Sequence, residues 1–248
     1  MACDGLFVQR WDGTRSGPVL VFLHHGLGSV GQWRDFPAEL TAATGLPGLA
    51  YDRCGHGRSV ACGEARTPRY MHREAEVLGE LLEREGVGDF VLIGHSDGGS
   101  IALLYGALEG WVAPRGIVAE SAHVFVEDVT RRGIRLTVDA YVSGMREKLR
   151  RYHGDNTERL FWEWAGTWLA PSFDDWNLCA GLGGVKCPVV VVQGVDDEYG
   201  TEAQVDAILR GVASAAGRVM IAGAAHEPHH QARGATVEAM RAAVMGFL

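Results

Sequence analysis

The sequence lacks the features that mark secreted, membrane and zinc-binding proteins. Its five cysteines are scattered and lack the spacing of metal ligands, which predicts a reducing compartment with neither disulfide nor zinc. They are Cys3, Cys54, Cys62, Cys179 and Cys187. The first residues have neither the basic nor the apolar region of a signal peptide, and no apolar run is long enough to span a bilayer. We therefore expect a cytoplasmic protein that does not bind membranes.

Positive charge is also scarce. Lysine and arginine total 23 against 31 acidic residues, a formal net charge of −8, whereas nucleic acids and anionic membranes attract basic surfaces. The chain shows no internal repeat and no low-complexity tract, which argues against a solenoid. With 47% hydrophobic residues among 248, it is long and apolar enough for a large globular core. These properties favour a small-molecule partner and leave the oligomeric state open.

Short apolar runs alternate with helical stretches in two parts of the chain. Residues 18–23 and 90–93 are continuous apolar runs, as expected for strands buried on both faces of a parallel sheet. The alternation stops within residues 121–184, where helical stretches rich in tryptophan and tyrosine replace it. We predict an α/β fold whose mostly parallel, doubly wound sheet is formed by residues 1–120 and 185–248. Residues 121–184, here called the insertion, are predicted to be helical.

A nucleophile elbow is indicated between a predicted strand and a predicted helix. Residues 94–99 read Gly-His-Ser-Asp-Gly-Gly. In such an elbow a strained turn displays a serine above the sheet, and glycines let strand and helix pass closely. Ser96 is the predicted nucleophile, and the backbone N–H of Asp97, at a helix N-terminus, is predicted to form half of an oxyanion hole. The alternative is a glycine-rich turn of an ordinary doubly wound protein.

A serine nucleophile needs a general base and an acid that orients the base. Because ligands bind beyond the carboxyl ends of parallel strands, these partners should follow later strands. Asp196 and Asp197 follow the valine run at residues 189–192, and His226 follows the last predicted strand. The sequence therefore predicts a triad of Ser96, His226 and one of the two aspartates.

Five short sequence motifs follow one another along the chain, and their order is informative. They are His25-Gly26-Leu27-Gly28, Tyr51-Asp52-Arg53-x-Gly55-x-Gly57-x-Ser59, the elbow, Gly194-x-x-Asp197 and Gly223-x-x-His226. In this set and order the chain resembles the α/β-hydrolase family from end to end. The resemblance implies an α/β-hydrolase fold with residues 1–120 and 185–248 as its core and residues 121–184 as a helical cap, and it implies no cofactor.

The resemblance also assigns roles and a reaction. Ser96 would be the nucleophile, His226 the general base and acid, and Asp197 the residue orienting His226, since the Gly-x-x-Asp spacing leaves Asp196 as a solvated loop acid. The second oxyanion donor would be the backbone N–H of Leu27. We expect hydrolysis of carboxylic esters, or of lactone or thioester relatives, through an acyl-enzyme. The alternatives are a hydrolase of C–C bonds and a slow-turnover ligand receptor on the same fold.

The segment after the last strand also matches a zinc motif. Residues 226–230 read His-Glu-Pro-His-His, formally H-E-x-x-H, which needs two histidines on one continuous helix. Pro228 opposes such a helix, so we predict no metal here. His229 and His230 are expected at the surface or as caps where the last helix begins.

Two features bear on the substrate. Asp97 is an unusual neighbour for a nucleophile. Its carboxylate either interacts favourably with the dipole at the helix N-terminus or binds a cationic substrate group. The elbow resembles that of valacyclovir and amino-acid-ester hydrolases. Phe161, Trp164 and Trp168 form an aromatic stripe at helical spacing, typical of a packing seam that can also border a ligand. With His25, the two tryptophans are predicted to contact a mid-sized apolar or aromatic substrate.

Overall fold

A seven-stranded sheet runs through the described part of the protein. The computed structural model describes residues 4–61 and 66–248, so the predictions for Cys3 and Cys62 lie outside the described residues. The strands are β1 (Val8–Trp11), β2 (Val19–Leu23), β3 (Gly48–Tyr51), β4 (Phe90–His95), β5 (Ile117–Glu120), β6 (Val189–Gly194) and β7 (Ala216–Ile221). Their spatial order is β1-β3-β2-β4-β5-β6-β7, in which β1 runs antiparallel to β3 and the other neighbouring pairs are parallel. The prediction of a mostly parallel α/β sheet is confirmed.

Helices connect most of the strands and cover both faces of the sheet. The α-helices are α1 (Phe36–Thr44), α2 (Tyr70–Arg84), α3 (Asp97–Ala107), α4 (Asp128–Ala140), α5 (Arg146–His153), α6 (Thr157–Leu169), α7 (Glu202–Gly211), α8 (Pro228–Gln231) and α9 (Arg233–Gly246). Within the described residues, no helix combines the length and the apolar character that crossing a bilayer would require.

The central strands are apolar along their length because they are buried on both sides. Successive side chains of a strand point to opposite faces. In β4, Phe90 and Leu92 belong to the core that includes residues of α2 and α3, whereas Val91 and Ile93 belong to the core that includes residues of α1 and α9. All four side chains are fully buried. The continuous apolar run predicted from the sequence is thus explained by two separate cores.

The insertion contributes α4, α5 and α6 between β5 and β6. A π-helical turn at Tyr141–Met145 joins α4 to α5, and the ring of Tyr141 stacks on Phe161 of α6 with 3.6 Å between centroids. Phe161, Trp164 and Trp168 are buried on one face of α6, whereas Trp162 is 48% exposed. The aromatic stripe read from the sequence therefore faces the protein interior.

Candidate active site

The turn between β4 and α3 holds Ser96 in a conformation that few residues adopt. Ser96 has φ 54° and ψ −118°, a strained backbone that costs about 1–3 kcal/mol. Its N–H donates to the Glu120 carbonyl oxygen at 2.8 Å, which ties the turn to β5. Strand and helix approach so closely that a Cβ on Gly98 would lie 2.0 Å from the Leu23 carbonyl oxygen. The turn has the sharp strand-to-helix geometry expected from the glycines around Ser96.

The structure brings Ser96, His226 and Asp197 into one hydrogen-bonded row. His226 Nε2 lies 3.0 Å from Ser96 Oγ, and His226 Nδ1 lies 2.9 Å from Asp197 Oδ1. The same Oδ1 accepts the backbone N–H groups of Tyr199 at 2.9 Å and Gly200 at 3.2 Å. Asp196, the neighbouring acid, is exposed to solvent. Of the two candidate aspartates, Asp197 is the one that contacts the histidine.

The electrostatics of the row favour an ionised acid beside a basic imidazole. Burial opposes ionisation of Asp197, but the charge and hydrogen bond of His226 outweigh it and lower the pKa of Asp197 to about 2. Burial alone would lower the pKa of His226, yet the Asp197 carboxylate raises it above its ordinary value, with help from Glu198 and Glu227. The imidazole is thereby made a stronger proton acceptor.

The loop after β2, residues 24–29 and here called the Leu27 loop, lies beside Ser96. The N–H of Leu27 has a long contact of 3.4 Å to Nδ1 of His25, so it remains open to a better acceptor. The N–H of Asp97 is at the first turn of α3, where backbone donors lack helical partners. The two N–H groups predicted as oxyanion donors both belong to residues that border one cavity.

A cavity of about 230 Å³ lies between the sheet edge and the insertion. Seven of the eight residues predicted for the site border it, namely His25, Leu27, Ser96, Asp97, Trp164, Trp168 and His226. The eighth, Asp197, is 2% exposed at its side chain and lies behind His226. The remaining wall combines apolar or aromatic residues, such as Ile134, Met145 and Tyr199, with polar ones, such as Thr130, Thr137 and Gln231. A mid-sized organic substrate would fit this space.

Most of the sequence matches a known family model. The model of the Alpha/beta hydrolase family matches residues 20–239. The chain belongs to this family. Among curated relatives, this chain is 32% identical over 124 residues to 2-succinyl-6-hydroxy-2,4-cyclohexadiene-1-carboxylate synthase of Yersinia enterocolitica. That stretch covers 50% of this chain and 43% of the relative, so the match spans less than half of the relative's length.

Solved structures resemble this chain over nearly its whole length. The enol-lactonase of Burkholderia xenovorans superposes with a TM-score of 0.72 at 19% identity, covering 100% of this chain and 98% of that one. A thermophilic esterase of Thermogutta terrifontis superposes with a TM-score of 0.69 at 18% identity, covering 98% and 93%. At such identities the likeness establishes the fold, and the chemistry has to be argued from the site.

Asp97 is buried beside two arginines. It is 2% exposed, and its Oδ2 accepts the hydroxyl of Tyr70 at 2.8 Å. Arg53 Nη2 and Arg66 Nη1 lie 3.8 and 3.9 Å from the same oxygen. Trp168 Nε1 donates to the Tyr70 hydroxyl at 3.1 Å, which links the insertion to this cluster. The carboxylate therefore already has countercharges, a condition that favours the structural interpretation of Asp97 over cation recognition.

A second buried cluster lies beneath His226. Glu120, fully buried at the end of β5, accepts the backbone N–H of His229 at 2.9 Å and faces its Nδ1 at 2.8 Å. His95 Nε2 lies 2.8 Å from the carbonyl oxygen of His226. Burial raises the pKa of Glu120 and lowers that of His229. Together these contacts anchor the turn that carries His226.

The prediction that His229 is a surface or capping residue is wrong. His229 is 2% exposed because the fully buried Glu120 carboxylate needs a hydrogen-bond donor, and the His229 ring packs in the interior to contact it. His230 is half-buried, with Nε2 2.9 Å from the Gln32 carbonyl oxygen. His226 precedes α8, which begins at Pro228, so the histidines of the H-E-x-x-H match do not share one helix. The candidate ligand atoms of His95, Glu120 and His229 lie within 4.8 Å of one another, a spacing at which they could coordinate one metal ion. Glu120 and His229 already hydrogen-bond to each other.

Sequence reasoning missed several residues that support the site. Tyr70, Glu120 and the insertion residue His153 contact the site from elements distant in sequence. Only for Glu120 does the sequence hold a usable signal. A charged residue at the end of an apolar strand, at the ligand-binding edge of the sheet, predicts a buried hydrogen-bond partner. Tyr70 and His153 occur in helical stretches with no local pattern that sets them apart.

Proposed function

We propose that the protein is a serine hydrolase that cleaves carboxylic esters, or lactone or thioester relatives, through an acyl-enzyme on Ser96. The observation that carries the proposal is the row from Ser96 Oγ through His226 to Asp197, with contacts of 3.0 and 2.9 Å. The serine is held on a strained turn at the wall of a cavity. Nucleophile, base and orienting acid are thus arranged as acyl transfer requires.

In the first half of the reaction, Ser96 Oγ attacks the substrate carbonyl carbon while His226 Nε2 accepts the hydroxyl proton. The carbonyl oxygen becomes an anion that receives hydrogen bonds from the N–H groups of Leu27 and Asp97. Asp197 stabilises the imidazolium that forms at His226. His226 then gives the proton to the leaving alcohol or thiol, and the acyl group remains on Ser96.

In the second half, His226 takes a proton from water, which attacks the acyl carbon. The same two N–H groups hold the second oxyanion. The intermediate collapses, His226 returns the proton to Ser96 Oγ, and the carboxylic acid leaves. For a lactone, alcohol and acid remain one molecule, so ring opening needs no separate departure of the alcohol.

The cavity wall favours an uncharged, apolar or aromatic substrate. Trp164, Trp168 and Ile134 give it an apolar surface. Among the described residues that border it, Asp97, Glu198 and Glu227 are acidic and none is lysine or arginine. The relatives' name specifies a carboxylate, and an anionic group would lie against like charges here. We therefore propose a different substrate for this chain, and an assay for the relatives' reaction is the direct comparison.

Covalent labelling tests the proposed nucleophile. A fluorophosphonate probe is expected to label the protein stoichiometrically at Ser96, because the serine is activated by His226. Mass spectrometry of the labelled peptide locates the adduct, and Ser96→Ala serves as the unlabelled control. The labelled protein should lose hydrolysis of aryl esters and lactones in parallel. An unlabelled wild type, or equal labelling of the Ser96→Ala variant, contradicts the proposal.

The rate should depend on pH through His226. Because this base must be neutral and its pKa is raised, kcat/KM for an aryl ester should fall on the acid side with a midpoint above pH 6.5. Glu198→Gln is expected to move the midpoint to lower pH, since Glu198 helps to raise the pKa of His226. The measurement is a series of kcat/KM values across pH for both proteins. A profile that is flat from about pH 5 to 8 would exclude a histidine base.

Asp97→Asn separates the two interpretations of Asp97. Because Tyr70 and two arginines already contact the carboxylate, hydrolysis of amino-acid esters and of matched neutral esters should fall by the same factor. Loss of a buried charge partner should also cost about 3 kcal/mol of folding stability. Steady-state kinetics and thermal denaturation measure both effects. A loss confined to amino-acid esters would instead establish recognition of a cationic group.

A further inference from the structure

A histidine of the insertion contacts the Leu27 loop. His153 is the last residue of α5 and is 4% exposed. Its Nε2 lies 2.9 Å from the carbonyl oxygen of Leu27, and its Nδ1 lies 2.9 Å from the backbone nitrogen of Gly57. One side chain thereby joins the insertion to two loops of the core, next to the predicted oxyanion donor.

The contacts to Leu27 and Gly57 define the state of the His153 ring, because Gln32 Nε2, 3.2 Å from His153 Nε2, is itself a donor that bonds the Leu27 carbonyl. A backbone N–H only donates and a carbonyl oxygen only accepts, so Nδ1 accepts from Gly57 while Nε2 donates to Leu27. A neutral ring with its proton on Nε2 satisfies both partners. Burial lowers the pKa of His153, which keeps the ring in this neutral form. The two nitrogens therefore have separate tasks that substitutions can separate.

The contact to Leu27 belongs to a wider support of the loop. Gln32 Nε2 donates to the same Leu27 carbonyl at 2.8 Å. On the other side, the His25 carbonyl oxygen accepts Arg53 Nη2 at 2.8 Å. The peptide that carries the Leu27 N–H lies between these two anchored carbonyls. Since each peptide unit is planar and only two torsions separate neighbours, anchoring both sides restricts the direction of that N–H.

We propose that His153 is a positioning residue of the oxyanion hole: by holding the Leu27 carbonyl, it directs the Leu27 N–H toward the oxyanion formed at Ser96. The inference rests on the proposed function, because it requires the Leu27 N–H to receive that oxyanion. It makes the insertion part of the catalytic arrangement as well as part of the cavity wall. A displacement of α5 would misdirect the donor without any change in Ser96, His226 or Asp197.

Replacing His153 with glutamine or with asparagine tests the roles of its two ring nitrogens separately. The amide nitrogen of glutamine replaces Nε2 and can donate to Leu27, whereas the amide of asparagine reaches only the Nδ1 position beside Gly57. His153→Asn is expected to lower kcat about 10- to 100-fold with little change in KM, a loss below that of removing an oxyanion donor outright. His153→Gln should recover most of the kcat lost in His153→Asn. Melting temperatures of both variants check that each is folded.

Two matched inhibitors distinguish a role in the oxyanion hole from a purely structural role of His153. An aryl trifluoromethyl ketone forms an adduct with Ser96 whose oxygen occupies the oxyanion hole, whereas the matching secondary alcohol binds without an adduct. His153→Asn should weaken the ketone in proportion to kcat and leave the alcohol unchanged. Equal kinetics of the two variants, or a loss confined to KM, overturns the proposal. If wild-type protein forms no ketone adduct and hydrolyses no ester, the proposed function itself fails.

Discussion

Asp197→Ala is expected to lower kcat about 10⁴-fold, because His226 would lose both its orientation and its countercharge. The side chain is well placed for both tasks: Oδ1 faces His226 Nδ1 at 2.9 Å, and two backbone N–H groups hold the same oxygen in place. Its low pKa of about 2 keeps it ionised throughout the working range of a histidine base. The measurement is kcat on a saturating aryl ester.

The neighbouring acid provides the matched control. Asp196 is exposed, so Asp196→Ala should leave kcat within about twofold. Asp197→Asn should lose less than Asp197→Ala, since an amide oxygen can keep the contacts to His226, Tyr199 and Gly200 while the charge is lost. The acid-side midpoint of the Asn variant should move to lower pH, because the carboxylate is what raises the pKa of His226. Equal activities of the alanine variants at positions 196 and 197 would contradict the assignment.

Gly98→Ala is expected to destabilise the fold by about 3 kcal/mol or more and to abolish most activity. The added Cβ would lie 2.0 Å from the Leu23 carbonyl oxygen and 2.9 Å from that of His24. These are backbone atoms of β2 and the Leu27 loop, so no side-chain rotation relieves the clash. The start of α3 would have to move, and with it Ser96 and the N–H of Asp97. For a chain of this size the melting temperature should fall by roughly 6–12 °C.

Gly234 is the matched control for Gly98. Each is the second residue of an α-helix, α9 for Gly234 and α3 for Gly98, but a Cβ on Gly234 meets no atom within 4 Å. Gly234→Ala should therefore change stability by about 1 kcal/mol at most, in the stabilising direction. Thermal denaturation of both variants gives the comparison. Similar melting temperatures for the two alanine variants would show that the close approach at the elbow is not what limits position 98.

The fold and the central row of the site were predictable because their signals are local. Ser96 follows β4 directly, Asp197 and His226 lie in the loops after β6 and β7, and parallel strands place their carboxyl ends at one edge of the sheet. Topology alone therefore brings together residues that are 130 positions apart, such as Ser96 and His226. The strands themselves could be predicted from the sequence because strands buried on both faces are continuous apolar runs.

The supporting contacts were not predictable, since no local pattern encodes them. Glu120 meets His229 across 109 positions, and Leu27 meets His153 across 126. Each pair depends on how a loop or a helix of the insertion packs after the sheet has formed. The error at His229 has this origin: its position before α9 suggested a surface role, whereas its contact with the buried carboxylate of Glu120 determines where its ring lies.

The tryptophans beside the cavity give the protein an intrinsic optical signal. Trp164 and Trp168 are 8% and 3% exposed and border the space that a substrate would enter. The Trp168 ring also lies 5.5 Å from the His123 imidazole, which borders the same cavity. A bound molecule displaces water from beside these rings and changes their emission. Ligand binding can thus be followed by fluorescence titration on the unlabelled protein, including ligands that are never turned over.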